Sequence, residues 1–244
     1  MAVIAIFSPK GGVGKSTIAT NLGWCSAQIS RKPTLLWELD PQRGASYLLG
    51  EDEEHWKPAL SIFSKDRPAK SLITATEIEG LDLLPSDGSM VELDSYLRQL
   101  GKKRRLAKIA QELKAAYPII ILDCPPVMNE VARQIMRAAD LIIVPLSPSP
   151  LARRSLDLVR FELSKMVKSD AAILPVFSMI DRRRSLHREA CDAQPDWPVI
   201  PMSSIVEQVA VRRAPLGAFR SNCPASVAFA SLWRGIEAKL ASRK

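Results

Sequence analysis

Residues 9–17 of the chain read Pro9-Lys10-Gly11-Gly12-Val13-Gly14-Lys15-Ser16-Thr17, a glycine-rich loop that carries two lysines. Residues 3–7 before it are apolar and mostly β-branched, which predicts a buried parallel strand. Ile18, Leu22 and Cys25 then recur at helical spacing before Pro33, which predicts a helix that begins at Ser16-Thr17. A strand, a glycine loop and a helix in this order form the setting of a phosphate-binding loop.

The residue types of this loop suit a nucleotide. Its glycines let the backbone curl, so that successive N–H groups face phosphate oxygens. Lys15 follows at the start of the helix, where its ammonium can bridge the β- and γ-phosphates, and the Ser16 hydroxyl can ligate Mg²⁺. We expect the cofactor-binding residues to be contiguous: Lys10, Gly11, Gly12, Val13, Gly14, Lys15, Ser16 and Thr17. The alternative is a glycine–lysine turn that binds no nucleotide.

Length and composition favour an ordinary α/β protein. The 244 residues, 47% of them hydrophobic, suffice for one domain spanning 1–244 with a sizeable core. No apolar run approaches the ~20 residues that cross a bilayer, and no signal peptide is apparent, so we expect a cytoplasmic protein. The four cysteines are widely spaced, which predicts reduced and mostly buried thiols rather than a disulfide framework or a metal site.

The net charge of +8 is unevenly distributed. Residues 1–150 contain 18 basic and 17 acidic residues, whereas residues 151–244 contain 16 and 9, so the two parts carry +1 and +7. Such an asymmetry indicates a polyanionic partner, either nucleic acid or an anionic membrane. A generally basic, solubilising surface is the alternative.

Alternating apolar and helical segments predict a mostly parallel twisted sheet with helices on both faces. Residues 51–70 look like a polar excursion without an assignable function, and the basic run 102–105 looks like a solvated helix start. Further strands are expected at 34–39, 81–85, 117–122, 141–145, 172–178 and 199–201, and further helices at about 90–100, 104–116 and 151–167.

Two aspartates stand at the ends of predicted strands. Asp40 follows the strand at 34–39, and Asp123 ends the apolar run that begins at Tyr117. A carboxylate at the carboxyl end of a parallel strand is well placed for phosphate chemistry. Beside a phosphate loop, Asp123 is expected to support the Mg²⁺ shell, although an acid there can also cap the following turn.

The loop departs from the strict pattern G-x-x-x-x-G-K-[ST], because Pro9 stands where glycine is required. With its second lysine, it resembles the deviant Walker A sequence K-G-G-x-G-K-[ST] of the ParA/MinD ATPases. Asp40-Pro41-Gln42 resembles the D-P-Q of that family, and Asp123-Cys124-Pro125-Pro126 resembles its D-x-P-P. Residues 144–150 are similar to the family's segment near the dimer interface, so the resemblance extends over nearly the whole chain.

This resemblance implies a P-loop NTPase of the deviant Walker A type that hydrolyses ATP with Mg²⁺. The catalytic residues would be Lys10, reaching the nucleotide of a partner subunit, Lys15, on the β- and γ-phosphates, and Asp40, orienting the attacking water. The metal would be held by Ser16, Asp40 and Asp123. The family often has D-x-D before P-Q, whereas this chain has Glu38-Leu39-Asp40, so the resemblance assigns no role to Glu38.

The resemblance further implies an ATP-bound homodimer that binds double-stranded DNA nonspecifically and coats the nucleoid. A cargo-linked, ParB-like adaptor would trigger hydrolysis and thereby partition or position a plasmid, a chromosome or another large body. The chain starts at its first strand, so we expect no helix-turn-helix extension and no operator-specific repression. A solvated loop is the alternative for Arg182 to Arg184. The candidate DNA-binding residues are Arg182, Arg183, Arg184, Arg212, Arg213 and Arg220.

Two other functions use the same fold. A MinD-like membrane-associated positioning ATPase needs an amphipathic C-terminal helix, and residues 227–244 offer Leu232, Trp233, Ile236 and Leu240 among basic residues. Packing of that helix against the sheet is the alternative explanation of the same pattern. Metabolic phosphotransfer or electron transfer is disfavoured, since the sequence has no paired cysteines and no evident substrate domain.

Overall fold

The computed structural model describes residues 2–51, 58–64, 67–166 and 170–242. Within these ranges, eight strands form one sheet in the order β3-β4-β2-β5-β1-β6-β7-β8. All neighbouring pairs are parallel except β3 with β4, which confirms the predicted mostly parallel sheet. The strands are β1 Ala2–Ile6, β2 Thr34–Glu38, β3 Thr74–Ala75, β4 Leu81–Leu84, β5 Ile119–Asp123, β6 Leu141–Leu146, β7 Ala172–Ile180 and β8 Val199–Pro201.

Helices cover both faces of the sheet. The predicted helix after the glycine loop is present and continues as a π-helical turn, Cys25–Ile29, before Pro33. The helix predicted at 151–167 ends at Ser164, and residue 167 lies outside the described residues. The helices are α1 Lys15–Trp24, α2 Gly44–Leu48, α3 Ser61–Ser64, α4 Leu93–Leu100, α5 Arg105–Leu113, α6 Glu130–Ala138, α7 Pro150–Ser164, α8 Ser185–Asp192, α9 Ser204–Arg212, α10 Leu216–Phe219 and α11 Pro224–Ala241.

The alternation of side chains along the strands divides the core in two. Val3, Ala5 and Phe7 face a cluster that includes residues of α3 to α7. Ile4 and Ile6 face a second cluster that includes residues of α1, α2, α9 and α11. Strands that are buried on both faces read as continuous apolar runs, which is why the sequence predicts them well.

Two expectations about polar segments are wrong. The part of 51–70 that the structure describes is not merely a polar excursion, because Ile62 and Phe63 of α3 are buried and Phe63 packs near Trp37 with ring centroids 6.1 Å apart. The basic run 102–105 is solvated only as far as Arg104, since Arg105 is 5% exposed. The Arg105 guanidinium donates to the carbonyls of Ile62 and Phe63, so it satisfies the backbone of α3.

The carboxyl ends of β1, β2 and β5 meet at one edge of the sheet. In the register, Asp123 pairs with Ile6 on one side and with Glu38 on the other. The glycine loop leaves this edge from β1, and the Asp40 loop leaves it from β2. The described cysteines are free; Cys25, Cys124 and Cys191 are buried and Cys223 is partly buried, as the sequence predicts.

Candidate nucleotide-binding site

The glycine loop has an open face. Gly12 and Gly14 have φ values of 71° and 82°, the left-handed region that glycine adopts without strain. A Cβ added at Gly11 or Gly12 would meet no heavy atom within 4 Å, so the backbone there is accessible to a ligand. α1 begins directly at Lys15, which directs the positive end of its dipole toward the same space.

The two lysines of the loop lie in different environments. Lys15 is buried, with 7% of its surface exposed, beside the Asp123 carboxyl group. Lys10 is exposed, and its Nζ donates to the Ser147 Oγ at 3.4 Å, in the segment after β6. Lys15 therefore belongs to the interior of the site, whereas the charge of Lys10 lies on its outer surface.

Asp123 is fully buried, and neither carboxylate oxygen accepts a hydrogen bond of ordinary geometry from the described residues. Burial raises the pKa of this carboxyl group to about 7; the nearby Ser16 hydroxyl and Lys15 oppose the rise, while Glu38 and Asp40 add to it. Unpaired buried carboxylate oxygens are costly unless a ligand satisfies them.

These groups fit a magnesium ion. A serine hydroxyl beside a carboxylate with unused lone pairs is a hard oxygen donor set, which Mg²⁺ prefers. Within the described ranges, no group of three or more His, Cys, Asp or Glu side chains could hold a metal. Mg²⁺ usually takes one or two protein ligands together with waters and phosphate oxygens, so Ser16 and Asp123, with Asp40 nearby, would be sufficient.

The Asp40 loop is a tight turn that packs against α1. Asp40 is 8% exposed; its Oδ1 accepts from the Gln42 amide at 3.0 Å, and its carbonyl accepts from the Arg43 amide at 3.1 Å. Arg43 has a φ of 55°, and Gly44 then starts α2 against α1. A Cβ at Gly44 would lie 2.7 Å from the Ser16 Oγ, so only glycine lets the loop approach this hydroxyl.

Glu38, to which the sequence assigns no role, is a structural anchor of this loop. Its side chain is completely buried and accepts hydrogen bonds from the amides of Ala45, Ser46 and Ser86 and from the Ser46 hydroxyl. Burial raises the pKa of Glu38, while these hydrogen bonds oppose the rise. The sequence signal was available: an acid at the end of a fully apolar strand must find partners.

Sequence reasoning also missed a cavity that adjoins the glycine loop. It is lined by Gly14 and Thr17 on one side and by Met179 and Met202 on the other. Met179 is the penultimate residue of β7 and Met202 follows β8, and a Cβ at Gly14 would lie 3.6 Å from the Met179 Cε. The place of these residues was not visible in the sequence, because it depends on β7 and β8 ending at the same edge as β1.

The first group of candidate DNA-binding residues forms the loop before α8, where Arg182, Arg183 and Arg184 are exposed. Arg183 forms two hydrogen bonds of 2.9 Å with the Asp181 carboxylate, and these hold the pKa of Asp181 down to about 2. Arg188 donates to the carbonyls of Arg182 and Arg183. The loop is therefore ordered by its own charges, and Arg183 is partly neutralised.

The second group lies at the end of α9. Arg212 is exposed and stacks over the Phe219 ring, 5.0 Å from its centroid, and Arg220 is exposed. Arg213 is half-buried: its Nε donates to the Tyr47 carbonyl at 3.1 Å, and its guanidinium lies 4.9 Å from the centre of the Tyr47 ring. Arg213 thus contacts α2, which the sequence did not suggest.

The C-terminal helix packs on the sheet. Leu232, Trp233 and Ile236 are at most 3% exposed, and the Trp233 Nε1 donates to the Ser30 Oγ at 2.7 Å. Leu240 is partly buried against the same core. Among the residues described, no helix has both the length and the apolar composition to span a bilayer.

Comparisons with known proteins indicate the family of the chain. The model of a family described as an AAA domain matches residues 1–174. The chain is 29% identical to the chromosome partitioning protein ParA of Caulobacter vibrioides over 254 aligned residues, covering 97% of this chain and 94% of the relative. It is 31% identical over 194 residues to the sporulation initiation inhibitor protein Soj of Bacillus subtilis, covering 75% of each.

Among solved structures, cobyrinic acid a,c-diamide synthase from Mycobacterium smegmatis, with a bound ATP analogue and magnesium, superposes with a TM-score of 0.86. The superposition covers 100% of this chain and 97% of the synthase at 21% identity, so it concerns the fold alone. The fold and the glycine loop define a P-loop nucleotide-binding protein. The chain belongs to the ParA/MinD family, as its motifs predicted.

Proposed function

We propose that this protein is an ATP-dependent dimerising switch that binds DNA nonspecifically in its ATP-bound state and partitions or positions a large cargo. It works in the cytoplasm on the nucleoid, and a ParB-like or cargo-linked adaptor stimulates its hydrolysis. The observation that carries the proposal is the separation of the two loop lysines, one buried in the site and one on its surface. The similarity to a relative named chromosome partitioning protein ParA supports a role in partitioning.

The exposed position of Lys10 supports dimerisation. A triphosphate cradled by the loop carries more charge than Lys15 alone can neutralise, and the Nζ of Lys10 lies outward at Ser147. In the proposed dimer, the Lys10 ammonium reaches the nucleotide of the second copy, as the family resemblance implies. ATP then holds the two subunits together, and loss of the γ-phosphate releases them.

Hydrolysis uses the buried groups of the site. Lys15 binds the β- and γ-phosphates, and the Asp40 carboxylate, held by its turn next to Ser16, orients the attacking water. Bound Mg²⁺ supplies charge neutralisation at the phosphates, and Ser16 and Asp123 would hold it. Glu38 fixes the start of α2, which keeps the Asp40 loop in place while phosphate is transferred.

The DNA-binding surface uses the exposed arginines. Arg182, Arg184, Arg212 and Arg220 offer guanidinium groups to phosphates, and a dimer doubles their number. Arg183, which is paired with Asp181, and Arg213, which contacts Tyr47, contribute less as direct contacts. Because such binding is electrostatic, the logarithm of affinity should fall with the logarithm of salt by about 0.9 for each phosphate neutralised.

The membrane-associated alternative has little support. It requires a free apolar face on the C-terminal helix, but Leu232, Trp233 and Ile236 are part of the core. Exposing them would cost several kcal/mol, since fully burying each large apolar side chain contributes about 1.5–3 kcal/mol.

Retention of random duplex DNA tests the proposal. At low salt, the protein with ATP and Mg²⁺ should retain DNA, and the protein with ADP should not. Arg184→Glu should weaken retention while leaving ATP binding intact. Lys108→Glu is the matched control, because it makes the same charge change on an exposed residue of α5. Equal retention with ATP and ADP would refute the switch, and equal losses in both variants would refute the assigned surface.

A further inference from the structure

Helix α2 connects the phosphate site to the basic end of α9. Its first turn is hydrogen-bonded to Glu38, the last residue of β2. The Glu38 carboxylate accepts from the amide of Ala45 at 2.7 Å and from the amide of Ser46 at 3.2 Å. The Ser46 hydroxyl donates to the same carboxylate. All three groups are buried, so α2 and the end of β2 move as one body.

The same turn contacts the group expected to ligate Mg²⁺. The Gly44 Cα packs so closely on Ser16 that an added Cβ would lie 2.7 Å from its Oγ and 3.1 Å from its Cβ. Interiors this tightly packed respond to a new neighbour by shifting whole elements rather than by compressing. Occupation of the site at Ser16 therefore acts directly on the first residue of α2.

The other end of α2 holds Arg213. The Tyr47 carbonyl accepts from the Arg213 Nε at 3.1 Å, and the Tyr47 ring lies 4.9 Å below the guanidinium. Arg213 is also the left-handed residue, with φ of 53°, that ends α9. A Cβ added at Gly50, just after α2, would lie 3.9 Å from the Arg213 carbonyl oxygen, so the two backbones are close together. The side chain of Arg213 therefore follows the position of α2.

We infer that Tyr47 and Arg213 form a mechanical link that transmits occupancy of the Ser16 site through α2 to the C-terminal turn of α9. Arg213 is then a positioning residue for the neighbouring exposed Arg212, rather than a DNA contact itself. The inference rests on the nucleotide site of the proposed function, but it does not rest on DNA binding. It explains why one arginine of a basic pair is half-buried against a tyrosine while the other is exposed.

Hydrogen exchange of the full-length protein tests this link without DNA and without the ATP-bound dimer. Amide exchange is followed by mass spectrometry in the nucleotide-free state and with Mg²⁺-ADP. In the wild type, Mg²⁺-ADP should slow exchange both in residues 44–50 and in residues 209–214, by about fivefold or more in the latter, which is the lower end of usual coupling between sites. Tyr47→Phe, which retains the ring, should behave in the same way.

Tyr47→Ala should keep the response of residues 44–50 and weaken that of residues 209–214, because it removes the ring contact but leaves the backbone carbonyl that accepts from the Arg213 Nε. Tyr47 is 49% exposed, so its truncation should leave the fold intact. Arg213→Gln removes both the ring contact and the hydrogen bond of the guanidinium, so it should abolish the response of residues 209–214 and keep that of residues 44–50.

An unchanged response of 209–214 in both variants would overturn the inference, and so would the absence of that response in the wild type. Failure of the protein to retain DNA would refute the proposed function without affecting this result, because no DNA is present.

Discussion

The contact between Gly44 and Ser16 makes Gly44→Ala a sharp test of the magnesium site. The added methyl group would lie 2.7 Å from the Ser16 Oγ, whereas ordinary contact begins at 3.4 Å. Either α2 moves away by the difference of about 0.7 Å, at a typical overpacking cost of about 1–3 kcal/mol, or the serine hydroxyl rotates out of its place. Rotation removes the hydroxyl from the position in which it would ligate Mg²⁺, whereas movement of α2 displaces the adjoining Asp40 loop, which would also support the metal.

Fluorescence anisotropy with a labelled ATP analogue measures the effect, in Mg²⁺ and again in EDTA. With Mg²⁺ the affinity of Gly44→Ala should fall by about tenfold or more, which corresponds to about 1.4 kcal/mol, and with EDTA it should match the wild type. Gly235→Ala is the control: a Cβ there meets nothing within 4 Å, and alanine in mid-helix should stabilise the protein by about 0.5–1 kcal/mol. Wild-type affinity of Gly44→Ala for Mg²⁺-ATP would refute the reasoning.

Three other substitutions test separate parts of the structure. The pKa of Asp123 is raised from 3.8 to about 7 in the folded protein. Its contribution to the free energy of unfolding is therefore full below about pH 4 and is lost as the pH rises through about 7. In the nucleotide-free protein this loss amounts to about 4 kcal/mol. Urea unfolding should show that Asp123→Asn removes this loss, and an unchanged pH dependence would contradict the burial argument. Trp233→Ala should destabilise the protein by about 3–5 kcal/mol in the same assay, whereas a change below about 1 kcal/mol would mean that α11 is not part of the core. Glu38→Gln should lower the ATP turnover number more than the affinity for ATP, because it loosens the anchor of the Asp40 loop. A turnover number equal to that of the wild type would refute the anchoring role of Glu38.

The central part of the sheet could be predicted because its strands are buried on both faces. Val3 to Phe7 and Ile119 to Leu122 are uninterrupted apolar runs, which is typical of strands buried on both faces. The glycine loop could be predicted equally well, because binding of a phosphate group requires glycines that let the backbone curl around it and lysines that neutralise its charge. The C-terminal ends of β7 and α7 were misplaced by two or three residues, because no capping signal in the sequence marks those ends.

Residues that act through tertiary contacts were not predictable. Arg105 reads as one more basic residue of a solvated run, but its burial depends on the free carbonyls of α3, which sequence patterns do not reveal. The contact of Tyr47 with Arg213 joins positions 166 residues apart. Glu38 departs from the family motif, but its hydrogen-bonding partner Ser86 lies after β4, 48 residues further along the chain, and the sequence does not reveal this contact.

Measurement of mass in solution tests the central claim most directly. Asp40→Ala, which should bind ATP and hydrolyse it slowly, is examined by light scattering with Mg²⁺-ATP over a range of protein concentrations. The account predicts twice the mass of one chain, and it predicts a single chain with ATP still bound when Lys10→Ala is added. A nucleotide-bound Asp40→Ala protein that remains a single chain at every concentration would contradict the account.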